Sequence, residues 1–95
     1  MIKLILVERS NNKNKKYVAI FSIDEKLKKV HFGDSRYEDY TIHHDKKRRD
    51  NYRARHVSGK TAKPDTANSL SYYILWGDST SLSENIKDYK KRFNL

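Results

Sequence analysis

Apolar and polar positions alternate with a period of two over the first third of the chain, and with a period near that of a helix over its last third. Ile2, Leu4 and Leu6 alternate with Lys3, Ile5 and Val7, which reads as a strand, and the Ser10-Asn11-Asn12-Lys13-Asn14 cluster that follows reads as a turn. From Tyr17 to Ile23 the pattern places Tyr17, Ala19, Phe21 and Ile23 on one face and Val18, Ile20 and Ser22 on the other. Two largely apolar faces mark this segment as the central strand. Asp24-Glu25-Lys26 turns the chain, and from Lys28 to Phe32 the apolar Val30 and Phe32 alternate with Lys29 and His31 before Gly33-Asp34 ends the run. The pattern predicts an antiparallel β-meander.

After Gly33 the period changes. Asp45 is a good N-cap for a helix running to about His56, because its carboxylate can accept from free backbone N–H groups at the positive helix end. Only Tyr52 and Ala54 are fit to dock that helix on a core. Val57 to Asp65, with Gly59 and the sole proline Pro64, reads as a loop. Thr66 can cap a helix through Trp76, with Gly77 as its stop; Leu70, Tyr73 and Ile74 share one face, which Tyr72, Leu75 and Trp76 broaden. Ser81 followed by Glu84 is a capping box, and Leu82, Ile86, Tyr89 and Phe93 then recur as a narrow apolar stripe. The expected fold is α+β: a three-stranded antiparallel N-terminal meander followed by three helices packed on it. The two C-terminal helices cover one face and the basic helix lies across an edge.

At 95 residues the chain is one domain, residues 1–95, with room for a single thin core. The seven tyrosines and one tryptophan supply much of the area that such a core needs. Lys and Arg number 21 against 12 Asp and Glu, a formal net charge of +9, and so large a charge on so short a chain points to a polyanionic partner. The absence of cysteine excludes a disulfide framework and a thiolate metal site. The apolar start, MIKLILV, meets Glu8 and Arg9 at once. It is too short for a secretory h-region, no stretch is long enough to span a membrane, and neither secretion nor a membrane partner is expected.

The positive charge concentrates in the stretch YEDYTIHHDKKRRDNYRARH, Tyr37 to His56. Lys46, Lys47, Arg48, Arg49, Arg53 and Arg55 oppose only Asp45 and Asp50 there, a net charge of +4 over residues 45 to 56, so this helix could contact phosphates with Arg48 or Arg49 gripping in bidentate fashion. The plainer reading is a solvated helix face. Lys87, Lys90 and Lys91 on the last helix are possible outlying contacts. Tyr37, Asp39, Tyr40, Asp45 and Tyr52 read as a structural anchor that fixes where the basic helix begins, with Asp39 free to pair with Arg48 or Arg55; the alternative is that such aromatics stack on bases. His31, His43, His44 and His56 with Asp39 and Asp45 are metal-ligand types, but their spacing matches no metal motif. There is no Walker loop, no Gly-rich phosphate cradle and no nucleophile elbow. No catalytic residue, metal or cofactor is therefore assigned.

The string Tyr37-Glu38-Asp39-Tyr40-Thr41-Ile42-His43, then Asp45, Arg48, Arg49, Tyr52, Arg55-His56, Thr66-Ala67, Leu70-Ser71, Ile74-Leu75-Trp76, Ile86, Tyr89-Lys90 and Arg92-Phe93 resembles a family of small basic proteins encoded by large nucleocytoplasmic DNA viruses. That resemblance brings no activity with it. It implies an origin in the virion, the host-cell cytoplasm or the virus factory, where a small basic protein handles DNA or packs inside a capsid. The leading expectation is a non-enzymatic nucleic-acid-binding protein, DNA favoured over RNA and largely independent of sequence, that helps to organise or package a viral genome. The alternative is a structural or adaptor protein that binds an acidic virion protein or forms a homo-oligomer. A small metal-dependent nuclease comes third.

Overall fold

The computed structural model describes residues 1–95, and its first three elements follow from the alternation of the N-terminal third. Strands β1 (Ile2–Arg9), β2 (Lys15–Ile23) and β3 (Lys26–Asp34) form an antiparallel sheet in the order β1-β2-β3, with β2 central. The β2–β3 turn is two residues long, Asp24 and Glu25 both at positive φ, so Ile23 pairs with Lys26 across it; that turn matches the right-handed strand twist. Leu4, Ala19, Phe21 and Phe32 are fully covered on one sheet face.

The expected face for β1 changes halfway along. The register shifts between Leu4 and Leu6, so a bulge puts Val7 opposite Ala19 and packs it on the core, whereas Leu6 pairs with Ile20 and lies 41% exposed on the other face. An extra residue on one strand flips all later side chains, which is why simple alternation places Leu6 inward and Val7 outward.

Five helical segments follow the sheet. Helix α1 (Tyr40–His43) is a single turn that the pattern does not announce, and α2 (Lys46–Arg55) is the basic helix, capped by Asp45 with bonds from the Lys47 and Arg48 N–H groups. Helix α3 (Ser58–Thr61) is a further turn inside the stretch expected to be a loop. Helix α4 (Ala67–Leu70), capped by Thr66, continues as a π-helical turn, Ser71–Leu75. Helix α5 (Leu82–Phe93) makes half of its capping box: Ser81 Oγ accepts from the Glu84 N–H at 3.3 Å, but the Glu84 carboxylate takes the Ser79 hydroxyl at 2.8 Å.

The α4 and α5 helices cover the sheet face as expected. Leu70, Ile74, Leu75 and Tyr89 join Leu4, Ala19, Phe21 and Phe32 in one core, with Leu82, Ile86 and Phe93 of the α5 stripe packed around it. The Tyr89 ring is buried, and its hydroxyl meets Ser69 Oγ at 2.8 Å and donates to the Pro64 carbonyl at 2.5 Å. Burial pushes the Tyr89 phenol well above its ordinary pKa, so it stays a donor. Asn85, also buried, donates to the Ile74 and Ser79 carbonyls and ties the two helices together. Gly33 holds φ +85°, and a Cβ there would meet the Leu75 side chain at 2.8 Å, so the exit from β3 requires glycine.

The bulge yields a test. Val7→Ala should lower the free energy of unfolding by about 1 kcal/mol or more, the loss expected for apolar area withdrawn from a core. Leu6→Ala should cost clearly less. Urea unfolding of both variants checks the order, and the reverse order would place Leu6 inward.

Candidate functional site

Helix α2 has no apolar stripe, so its attachment uses other chemistry. Tyr52 stacks on Trp76 with centroids 4.2 Å apart and planes within 7°, and His56 stacks on the other side of Tyr52 at 4.0 Å. Arg53 donates from Nε to the Trp76 carbonyl at 2.7 Å and from Nη2 to Asp78 at 2.9 Å, and it lies over the Tyr72 ring. Arg49 is 8% exposed, sits 5.0 Å above the Tyr40 ring and bonds the Asp50 carboxylate. Two of the six cations expected to contact phosphate are thus taken. Arg49 and Arg53 are docking residues, since a guanidinium can stack on aromatic faces while its N–H groups satisfy carbonyls and carboxylates. Ala54, expected to dock, is exposed. The side-chain contacts of α2 go to Tyr40, Tyr72, Trp76 and Asp78 and not to a sheet edge.

The anchor segment is organised around Asp39, which is 1% exposed. Its Oδ1 accepts from the Thr41 N–H at 2.9 Å and from the Thr41 hydroxyl, which caps α1, and its Oδ2 accepts from Lys16 Nζ at 2.6 Å. The expected partners, Arg48 and Arg55, are not used; Lys16 on β2 reaches the carboxylate first and ties α1 to the sheet. Tyr40 is buried, Tyr52 is half-buried and Tyr37 is 65% exposed, so Tyr37 anchors nothing. His44 takes φ +57° between α1 and α2, which sends His43 and His44 in different directions.

Between α2 and the end of β3 lies a cleft of about 590 Å³. Arg48, Asn51, Tyr52 and Arg55 face it at three-, four- and seven-residue spacings along α2, joined by His56, Trp76, Lys16 and the rim residues Tyr37 and Glu38. Arg36 chelates Asp34 on the rim and pulls its carboxyl down to about 2. Arg48 and Arg55 make no ion pair, and neither do Lys46 and Lys47, which stand exposed on the outer side of the helix. Lys87, Lys90 and Lys91 are exposed on α5 and line neither of the clefts that α2 residues line. No three or more His, Asp or Glu side chains gather as metal ligands. The residues that the sequence did not single out here are Lys16, Asn51 and Trp76. Helical spacing from Arg48 flags Asn51, but nothing local flags Lys16, whose partner is 23 positions away.

His43 packs against Trp76 at 5.3 Å, and its Nδ1 accepts the Asp45 N–H at 2.9 Å. The proton of the neutral ring therefore sits on Nε2, which is buried without a partner. Burial of the ring, and then the Arg48 charge, lower its pKa below the ordinary 6.5. As pH falls, the unfolded chain takes up this proton before the folded one does. The stability that the neutral ring contributes is therefore complete above the ordinary histidine range and is lost as pH drops through the lowered value. Urea midpoints measured near pH 7 and about two units lower should show this fall, and His43→Gln should flatten it. A second test concerns the ion pair: Lys16→Met leaves a buried carboxylate without its cation and should cost about 3 kcal/mol. An effect below about 1 kcal/mol in the same assay, the range of an exposed pair, would remove the pair from its role as a tie.

Residues 5–56, more than half of the chain, match the family described as Family of unknown function (DUF5754), and the chain belongs to that family. The match runs from within β1 through β2, β3 and the Asp39 anchor to the end of α2. No curated protein and no solved structure matches the chain.

Proposed function

We propose that this member of the DUF5754 family binds nucleic acid without catalysing a reaction on it, DNA ahead of RNA, and with little dependence on sequence. The observation that carries the reading is the division of the α2 cations. Arg49 and Arg53 fasten the helix, while Lys46, Lys47, Arg48 and Arg55 have no acidic partner and stay in solvent. Cations held on a rigid helix without intramolecular partners are suited to release the counterions of a phosphate backbone on binding. The excess of +9 over the whole chain adds long-range attraction of the same sign. With the resemblance to proteins of large nucleocytoplasmic DNA viruses, the nucleic acid it organises or packages is a viral genome, in the virion or the virus factory.

One observation favours a second reading, a structural or adaptor protein. The sheet face away from the helices leaves Ile5, Leu6 and Leu27 between 41% and 69% exposed, an apolar surface available to a protein partner. Size-exclusion chromatography with and without DNA separates the two, because an oligomer indifferent to DNA fits only the adaptor.

The salt dependence gives the direct test. With four free cations on α2, log K on duplex DNA should fall against log[salt] with a slope of about −3 to −4, and the double variant Lys46→Ala, Lys47→Ala should flatten it by about 2. Fluorescence anisotropy measures both. Binding that is absent or indifferent to salt would end the proposal.

A further inference from the structure

We infer that the cleft beside α2 takes an unstacked nucleotide, so that the protein prefers single-stranded to duplex nucleic acid. The inference rests on the nucleic-acid reading above and goes beyond it by assigning a site for the base. Arg48 and Arg55 stand one above the other on the α2 wall, seven residues and therefore about 10 Å apart along the axis. Both line the cleft and neither has an acidic partner. Together they offer two points for the phosphates that flank one nucleotide.

The aromatic side chains of the same cleft offer faces for a base. Trp76, Tyr52 and His56 form one stacked column, with Tyr52 between Trp76 and His56, while His43, outside the cleft lining, meets Trp76 at a tilt of 52°. The column ends at His56, which is exposed and has a neighbouring ring on one side only. A base entering the cleft can extend the column on the open side of His56. Tyr37, 65% exposed on the opposite rim, supplies a second aromatic surface, and Asn51 on the α2 wall supplies an amide that can donate and accept at a base edge.

The charge pattern orients the nucleotide. Two of the cleft's three carboxylates are already matched, Asp39 by Lys16 and Asp34 by Arg36, which leaves Glu38 as the unpaired one. Phosphates therefore belong against Arg48 and Arg55 and away from Glu38, and the base belongs in the cleft between His56 and Tyr37. A volume of about 590 Å³ lies within the range that holds one small-molecule-sized group. In a duplex each base is stacked and paired, so a cleft that closes on one base selects a strand whose bases are free.

The test compares single-stranded DNA, single-stranded RNA and duplex DNA of equal length at one salt concentration. Fluorescence anisotropy measures affinity, and the fluorescence of the only tryptophan, which lines the cleft, serves as a local probe. Either single strand should bind about tenfold or more tightly than duplex and should change the Trp76 emission. Tyr37→Ala and His56→Ala, at exposed positions that leave the core untouched, should each weaken single-strand binding by about tenfold and narrow the preference. A difference between the DNA and RNA arms would identify which strand the cleft accepts. Equal, salt-dependent affinity for all three, with both variants silent, would overturn the cleft and leave the proposed function standing. Absence of binding to any of the three would overturn both.

Discussion

The stack of Tyr52 on Trp76 is the contact on which the arrangement of this protein depends. A helix that carries six cations and no apolar stripe cannot be held by hydrophobic burial, and α2 contributes almost nothing to the core. What holds it is one aromatic face on another at 4.2 Å, fastened from the side by the Arg53 guanidinium on the Trp76 carbonyl. Trp76 in turn follows directly on the π-helical turn Ser71–Leu75, whose Ile74 and Leu75 lie in the core. The basic helix is thus joined to the helical layer at Trp76, with Arg49 over Tyr40 and Arg53 on Tyr72 and Asp78 as further fastenings. Its placement is set by ring geometry and hydrogen-bond direction, which are more exacting than apolar contact.

That mode of attachment explains how the cations divide. An arginine facing the body of the protein must have its charge matched, since an unpaired buried charge is costly. Arg49 and Arg53 meet this requirement with Asp50, Asp78, carbonyl oxygen and aromatic faces, and the Arg53 charge holds the Asp78 carboxyl below its usual range. The Lys16–Asp39 pair obeys the same rule on the other side of the cleft, where the carboxylate also accepts from Thr41. Cations that face water need no such partners. The free surface of α2 is therefore what remains after docking has claimed its share, and its position beside a cleft follows from α2 meeting the Trp76 end of the helical layer without closing on β3.

The elements were legible in the sequence where the local pattern and the tertiary packing agree. The three strands, the Asp45 cap, the Thr66 and Ser81 starts and the α5 stripe all appear where side-chain period and cap chemistry place them. The β1 bulge was not legible, because Ile5, Leu6 and Val7 are apolar in succession and either phase satisfies the alternation. The one-turn helices α1 and α3 are too short to show a period. Within the site, Tyr52 and the exposed cations follow from helical spacing. The roles of Arg49 and Arg53 depend on Tyr40, Trp76 and Asp78, up to 25 positions away, and a sequence read along its length carries no sign of such contacts.

These non-local contacts also separate the two surfaces proposed to bind. The free cations are local to α2 and would exist on any solvated helix with this sequence. The cleft exists only because Lys16 reaches Asp39, Gly33 admits Leu75 and Tyr52 seats on Trp76, so it is a product of the fold. A surface made by composition can attract any polyanion, whereas a cleft with fixed rings and an amide can discriminate among them. On the proposed function, selectivity for one form of nucleic acid would therefore arise from the tertiary contacts around Trp76 and Asp39, and the charge of α2 would supply attraction alone.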